Sequence, residues 1–197
     1  MVRLAVIVVA LSLAAIAGAL LVDHGDDAEP ARVGALTMIG DSLNVGSEPA
    51  LHDELRGWTF ETDNAIGRRS DEGIAALQQI GHGLRPVVVV SLGTNDTQTD
   101  VQGFRDDVRT VLRLAGPNRC VVWATIWRGG ANEEFNDVLA DEARDNDALR
   151  LVQWDDLAAT HPAWLAYDGV HPTPEGYAAR AGAIARVVRD CLPAAAS

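Results

Sequence analysis

Apolar residues in this chain follow two rhythms. Short unbroken runs bounded by glycine or proline alternate with longer stretches whose apolar positions recur at helical spacing. The first pattern predicts strands buried on both faces, and the second predicts helices with one buried stripe. The run Val33 to Ile39 predicts a first strand, stopping at Gly40-Asp41-Ser42. Ser47 can cap a helix that carries Pro49 in its first turn, runs to about Leu55 and ends at Gly57. Trp58 to Thr62 predicts a second strand, Asn64 to Ser70 a loop, and Asp71 to Ile80 a helix closed by Gly81-His82-Gly83. Pro86 to Leu92, with its consecutive valines, is a third strand buried on both faces, ending in Gly93-Thr94-Asn95-Asp96. Val101, Phe104, Val108, Val111, Leu112 and Ala115 share one face of a helix stopped by Gly116-Pro117. Cys120 to Ile126 and Leu149 to Trp154 complete the strands. A loop at Trp127 to Ala131 and a helix at Asn132 to Arg144 lie between them, and a last helix runs from Thr173 or Pro174 to about Cys191. Five strands separated by helices predict an α/β fold, a three-layer α/β/α sandwich on a five-stranded parallel sheet.

Ahead of this alternation, residues 1–22 start with Arg3 and then carry no charge from Leu4 to Val22, about the span of a bilayer's hydrocarbon core. This pattern predicts either a signal peptide, with Ala15-Ile16-Ala17 as a small-residue cleavage site, or an N-terminal membrane anchor. Residues 23–32, acidic and containing Pro30, form a linker. Arg3 before the apolar run and acids after it predict the start inside and the domain outside, so the protein is expected to be extracytoplasmic, secreted or tethered to the membrane. Residues 33–192 are expected to be the single folded domain, and 193–197 a disordered tail.

Composition narrows the partners. Of 197 residues, 48% are hydrophobic, enough for one substantial core. The net charge is −12, and the sixteen basic residues are scattered among acids. Nucleic acid is excluded as a partner, because phosphate binding needs a basic face. His24, His52, His82 and His161 lack the ligand spacing of a metal site, and no phosphate loop, dinucleotide fingerprint or zinc motif occurs. No cofactor or metal is therefore expected. An oxidising compartment would permit Cys120 and Cys191 to form a disulfide stapling the last helix to the sheet; the alternative is two buried free thiols.

In a parallel sheet, ligand sites gather at the carboxyl ends of the strands. Here those ends carry Gly40-Asp41-Ser42, Asn64-Ala65-Ile66-Gly67 and Gly93-Thr94-Asn95-Asp96, with Asp168-Gly169-Val170-His171-Pro172 after the fifth strand. A serine hydroxyl needs a base to become a nucleophile, an imidazole is a suitable base, and a carboxylate three residues before it can fix its tautomer. Ser42, His171 and Asp168 can therefore form a catalytic triad.

These blocks, in this order, resemble those of the SGNH (GDSL-type) hydrolase superfamily over about residues 34–190. Gly40-Asp41-Ser42-Leu43 is similar to its first block, Gly67 to the second-block glycine, Gly93-Thr94-Asn95-Asp96 to the third and Asp168 to Pro172 to the last. Ala65-Ile66-Gly67-Arg68, the fifth strand and His161-Pro162-Ala163-Trp164 look most like the domains associated with bacterial cell-envelope O-acyltransferases. The resemblance implies a flavodoxin-like sandwich, serine esterase chemistry, and an oxyanion hole from the Ser42 and Gly67 N–H groups and the Asn95 amide. It departs from the pattern at Asn44, where a small hydroxyl residue is common, and in a second block with fewer glycines. Arg68, Trp127 and Arg128 stand beside the expected pocket as candidate substrate contacts, for a small acyl ester or an O-acylated glycan or lipid. The expected activity is hydrolysis of a short acyl ester, acetyl above all. The alternatives are transfer of an acetyl group to an envelope glycan, or an envelope-binding domain without catalysis.

Overall fold

Val87–Val90 are almost wholly buried, and the strand they form, β3 (Val87–Ser91), lies in the middle of the sheet. The structure, a computed structural model, describes residues 33–130 and 132–192. The expected signal or anchor (1–22), linker (23–32) and tail (193–197) lie outside the described residues. Around β3 are β1 (Ala35–Gly40), β2 (Thr59–Asn64), β4 (Cys120–Ala124) and β5 (Leu149–Val152). All pairs are parallel and the order is β2-β1-β3-β4-β5, the doubly wound order of flavodoxin-like sheets.

Each face of the sheet buries one apolar cluster. On one side Ile39, Val88, Val90, Val121 and Trp123 pack against α2 (Ser70–Ile80), α3 (Val101–Ala115) and α4 (Glu133–Asp145). On the other, Leu36, Met38, Val87, Val89 and Val122 meet α1 (Ser42–Glu54), α5 (Trp154–Thr160) and α6 (Pro174–Asp190). Alternate residues of each strand thus serve opposite layers, which is why the strands appear as continuous apolar runs in the sequence. Cys120, opening β4, is joined by a disulfide to Cys191, just past α6, with Cα atoms 5.8 Å apart. Among the described residues no helix is long and apolar enough to cross a membrane.

Several element boundaries differ from the sequence pattern: β2 runs on to Asn64, β4 stops at Ala124, and two further differences have a clear cause. The first helix begins at Ser42 rather than after Ser47, because Asp41 caps it: its side chain accepts from the Leu43 N–H at 3.0 Å. Ser47 lies within the helix and donates its hydroxyl to the Leu43 carbonyl at 2.8 Å, and Pro49 is an internal residue. The fifth strand stops at Val152, and Trp154 starts α5, a short helix too brief to show a period.

Candidate active site

Strand register brings the functional blocks together. Gly40, the last residue of β1, is paired with Asn64 of β2 and Ser91 of β3. The chain then turns, with the Asp41 N–H still donating to the Ser91 carbonyl at 3.0 Å, and enters α1. Glycine is required at position 40 because the Asn44 side chain folds back over it. A Cβ there would lie 2.4 Å from Asn44 Nδ2, the atom that donates to the Ile39 carbonyl at 3.2 Å. Ser42 consequently occupies the first turn of a helix, where backbone N–H groups have no helical acceptor and the helix dipole favours negative charge.

Asp168 and His171 sit on a small hairpin between α5 and α6. Leu165 bridges Pro172 in antiparallel fashion, and the Ala166 N–H donates to the His171 carbonyl at 2.7 Å. The hairpin carries His171 to the serine, with Ser42 Oγ 2.9 Å from His171 Nε2 and His171 Nδ1 2.8 Å from Asp168 Oδ2. The other Asp168 oxygen accepts the N–H groups of Val170 and His171, each at 3.0 Å. These backbone bonds, the Val170 one foremost, and the imidazole hold the Asp168 carboxyl down at about 2. It is therefore an anion throughout the range in which an imidazole works as a base. The dyad is open to solvent, with side-chain exposures of 44% for His171 and 39% for Asp168.

The expected oxyanion donors are differently situated. Gly67 is the third residue of a turn closed by the Arg68 N–H on the Ala65 carbonyl, with φ +76°. A Cβ there would meet nothing within 4 Å, so the positive φ, not crowding, calls for glycine. Asn95 Nδ2 donates to the Arg68 carbonyl at 3.0 Å and to Asp41 Oδ2 at 3.4 Å. Its amide thus ties the second-block turn to the residue before Ser42, and donation to a substrate would displace the longer of these bonds. Asp96 caps α2, accepting from the Ser70 N–H at 2.9 Å and from its hydroxyl.

The three candidate substrate contacts are engaged within the protein. Arg68 turns its guanidinium onto Asp63, with Nη2 2.7 Å from Oδ1 and Nη1 on the backbone carbonyl, and it is largely buried. Trp127 Nε1 donates to the Gly169 carbonyl at 2.8 Å, as does the Gly129 N–H at 3.1 Å. Arg128 Nη1 donates to the Asp96 carbonyl at 3.0 Å. Trp127 and Arg128 therefore brace the loops that carry Asp168, His171 and Asn95. Beside them a cavity of about 420 Å³ is lined by residues that include Gln98, Arg128, Gly129, Gly130 and Asn132. Among the described residues no group of His, Cys, Asp and Glu side chains could hold a metal ion.

One residue of the site escaped the sequence reading. Arg180 on α6 is fully buried beneath the Ser42 turn and donates to Leu43 O, Asn44 Oδ1, Ser47 Oγ and Ser91 Oγ. Its signal in the sequence is an arginine set in the apolar stripe of Ala181, Ile184 and Val188.

No family model matches the chain. It is 24% identical over 140 residues to YrhL of Bacillus subtilis, whose name provisionally assigns it as a peptidoglycan O-acetyltransferase; the match takes in 70% of this chain and 21% of that protein. The chain therefore spans about a fifth of that relative's length. Among solved structures, it superposes on the C-terminal catalytic domain of peptidoglycan O-acetyltransferase A from Streptococcus pneumoniae, solved with a methylsulfonyl adduct. That match has a TM-score of 0.63 and 18% identity, over 80% of this chain and 91% of that one. A lipase/acylhydrolase from Enterococcus faecalis gives a TM-score of 0.66 at 18% identity, over 83% of this chain and all of that one. A lipolytic protein of the G-D-S-L family from Veillonella parvula gives 0.67 at 16%, over 82% and 100%. What these proteins share with this chain is the architecture: it has the fold of the SGNH (GDSL-type) hydrolases.

Proposed function

We propose that this protein is an extracytoplasmic serine esterase that hydrolyses short acyl esters, acetyl foremost, through an acyl-enzyme on Ser42. The observation that carries this reading is the continuous proton path Ser42 Oγ–His171 Nε2 and His171 Nδ1–Asp168, with contacts of 2.9 and 2.8 Å. As Ser42 Oγ attacks the ester carbonyl, its proton passes to His171 Nε2, and Asp168 stabilises the imidazolium. The oxyanion forms against the Ser42 and Gly67 N–H groups and the Asn95 amide, each donor contributing about 3 kcal/mol in the transition state. His171 then gives the proton to the departing alkoxide, leaving Ser42 acylated. Water enters, loses a proton to Nε2 and attacks the acyl carbon, and the proton returns to Ser42 Oγ as the acid leaves. The charge-free stretch after Arg3 and the disulfide both support a site outside the cytoplasm.

A second reading is favoured by the acetyltransferase names of two similar proteins and by the polar cavity beside the acid–base hairpin. In it, a glycan hydroxyl takes the place of water in the second half-reaction. The test common to both is turnover of a short acyl ester by the wild-type chain and by Ser42→Ala, which should lose a factor of roughly 10⁴ to 10⁶. Equal turnover in the two proteins would end both readings. Product analysis with and without a glycan acceptor separates them.

A further inference from the structure

Behind the serine, a buried charge of opposite sign to Asp41 stands on the other side of one hydroxyl. Arg180 Nη2 donates to Ser91 Oγ at 2.9 Å, and Ser91 Oγ donates to Asp41 Oδ1 at 3.3 Å. Arg180 and Asp41 are both 0% exposed. Asp41 in turn accepts from the Leu43 N–H, next to Ser42, and from the Asn95 amide. The other guanidinium nitrogen, Nη1, fans onto the first turns of α1 through Leu43 O, Asn44 Oδ1 and Ser47 Oγ at 3.1–3.4 Å. Asn44, the departure from the usual first block, is thus an acceptor for the guanidinium. Trp154 lies under the cation with its ring centroid 5.8 Å from Cζ.

We propose that Arg180 is a positioning residue of the active site: acting through Ser91, it keeps Asp41 ionised, so that Asp41 holds both the Ser42 turn and the Asn95 amide in place. A carboxylate can accept all the donors aimed at Asp41, whereas a carboxylic acid must itself donate and forfeits one of them. Burial pushes the Asp41 carboxyl up, and Arg180 is the chief influence opposing it. Burial also pulls Arg180 down, to about 10, which still leaves it a cation at neutral pH. The other ionisable groups facing this pocket are Tyr177 of α6 and, from the hairpin, Asp168 and His171. None of these side chains is hydrogen-bonded to Asp41, whose oxygens accept from the Leu43 N–H, Ser91 and Asn95.

The inference rests on the esterase reading, and the test separates the two. In the full chain, Arg180→Met should lower kcat for a short acyl ester by about 10- to 100-fold with KM within about twofold. It should also move the acid limb of the kcat profile upward by about one pH unit or more, because Asp41 must now lose a proton unaided. Arg180→Lys, which retains a cation, should keep the wild-type limb. So should the double variant Asp41→Asn with Arg180→Met, which has nothing left to titrate. A wild-type limb in Arg180→Met, or a displaced one in the double variant, would overturn the proposal. Should Arg180→Met not fold, Ser91→Ala cuts the bridge without removing either charge. It should lower kcat with an upward-moved limb, and wild-type behaviour in it would overturn the proposal equally. If the wild-type chain shows no Ser42-dependent turnover, the esterase reading falls instead. The Asp41 carboxyl carbon, followed by NMR, then decides: its midpoint should rise in Arg180→Met, or in Ser91→Ala, and an unchanged midpoint would overturn the pairing.

Discussion

Reducing the Cys120–Cys191 bond should lower the melting temperature greatly while leaving catalysis at 25 °C nearly untouched. The bond closes a loop with a sequence separation of 71. In the chain-entropy treatment a loop of that length restricts the unfolded state by about 4 kcal/mol. For a domain of this size, each kcal/mol moves the midpoint by about 2–4 °C, so the expected fall is roughly 10–15 °C. Catalysis should be spared because Cys120 opens β4 while the triad lies past the opposite ends of the strands, about 15 Å away along the strand rise. The assay is a calorimetric melt of oxidised protein, fully reduced protein and the Cys120→Ala/Cys191→Ala variant, with thiols counted in each. Ester turnover is measured at 25 °C alongside. A midpoint unmoved within about 2 °C after complete reduction would refute the entropy argument. Loss of turnover without loss of stability would refute the separation between staple and site.

Further outcomes follow from three individual groups. Asp168→Asn should cut kcat by roughly 10² to 10⁴ with little change in KM, since the imidazole loses its orienting anion; steady-state kinetics check it. Because the folded Asp168 value, about 2, lies below the ordinary 3.8, its stabilising contribution is present above about pH 4 and is lost as pH falls toward 2. The Asp168→Asn variant should therefore melt closer to wild type at pH 2 than at pH 7. Asp107 behaves oppositely. Burial first, then its acidic neighbours led by Asp96, push it up to about 6, so stability is lost as pH rises from about 4 through 6. Allowing for solvent screening, Asp107→Asn should gain about 1 kcal/mol at pH 7, a rise of about 2–4 °C, and nothing at pH 3.5, as paired melts would show. Gly67→Ala places a Cβ at φ +76°, costing roughly 1–2 kcal/mol of local strain. It should reduce kcat about tenfold or more by moving an oxyanion donor; a variant with wild-type kcat would remove Gly67 from that role.

What could be read in the sequence, and what could not, divides along a physical line. Val87–Val90 announce a strand buried on both faces because both neighbouring layers demand apolar residues there. Once the parallel order is fixed, the blocks after the strands must share one edge. The start of α1 was hidden because Ser47 and Pro49 give a stronger helix-start pattern than Asp41, whose capping bond is visible only in three dimensions. Likewise α5 spans too few residues for a hydrophobic period to register. Arg68, Trp127 and Arg128 follow strand ends in the sequence, yet composition could not say that Asp63, Gly169 and Asp96 already occupy their donors. Arg180 shows the same limit most sharply. A stripe tells which side of a helix faces inward, but not which residue stands opposite, and its partner Asn44 lies 136 positions away.

The openness of the Asp168–His171 pair bears on whether water or a sugar would resolve the proposed acyl-enzyme. With His171 44% exposed, bulk water reaches the imidazole, and a transferase built on this site would have to do more than exclude it. It must succeed by proximity: a hydroxyl held next to His171 can reach an effective molarity of about 10⁵ M or more, far above that of the solvent. That requires a binding surface beside the hairpin, and the cavity bordered by Arg128, Gly129 and Gly130 is in the right place, since Gly129 is bonded directly to Gly169. The two mechanisms therefore differ in a measurable way. If a bound acceptor intercepts the acyl group, the ratio of transferred to hydrolysed product rises with glycan concentration and saturates. A ratio that stays proportional to acceptor concentration, with no plateau, means the hydroxyl arrives from bulk like water, and the protein is then a hydrolase that tolerates alcohols.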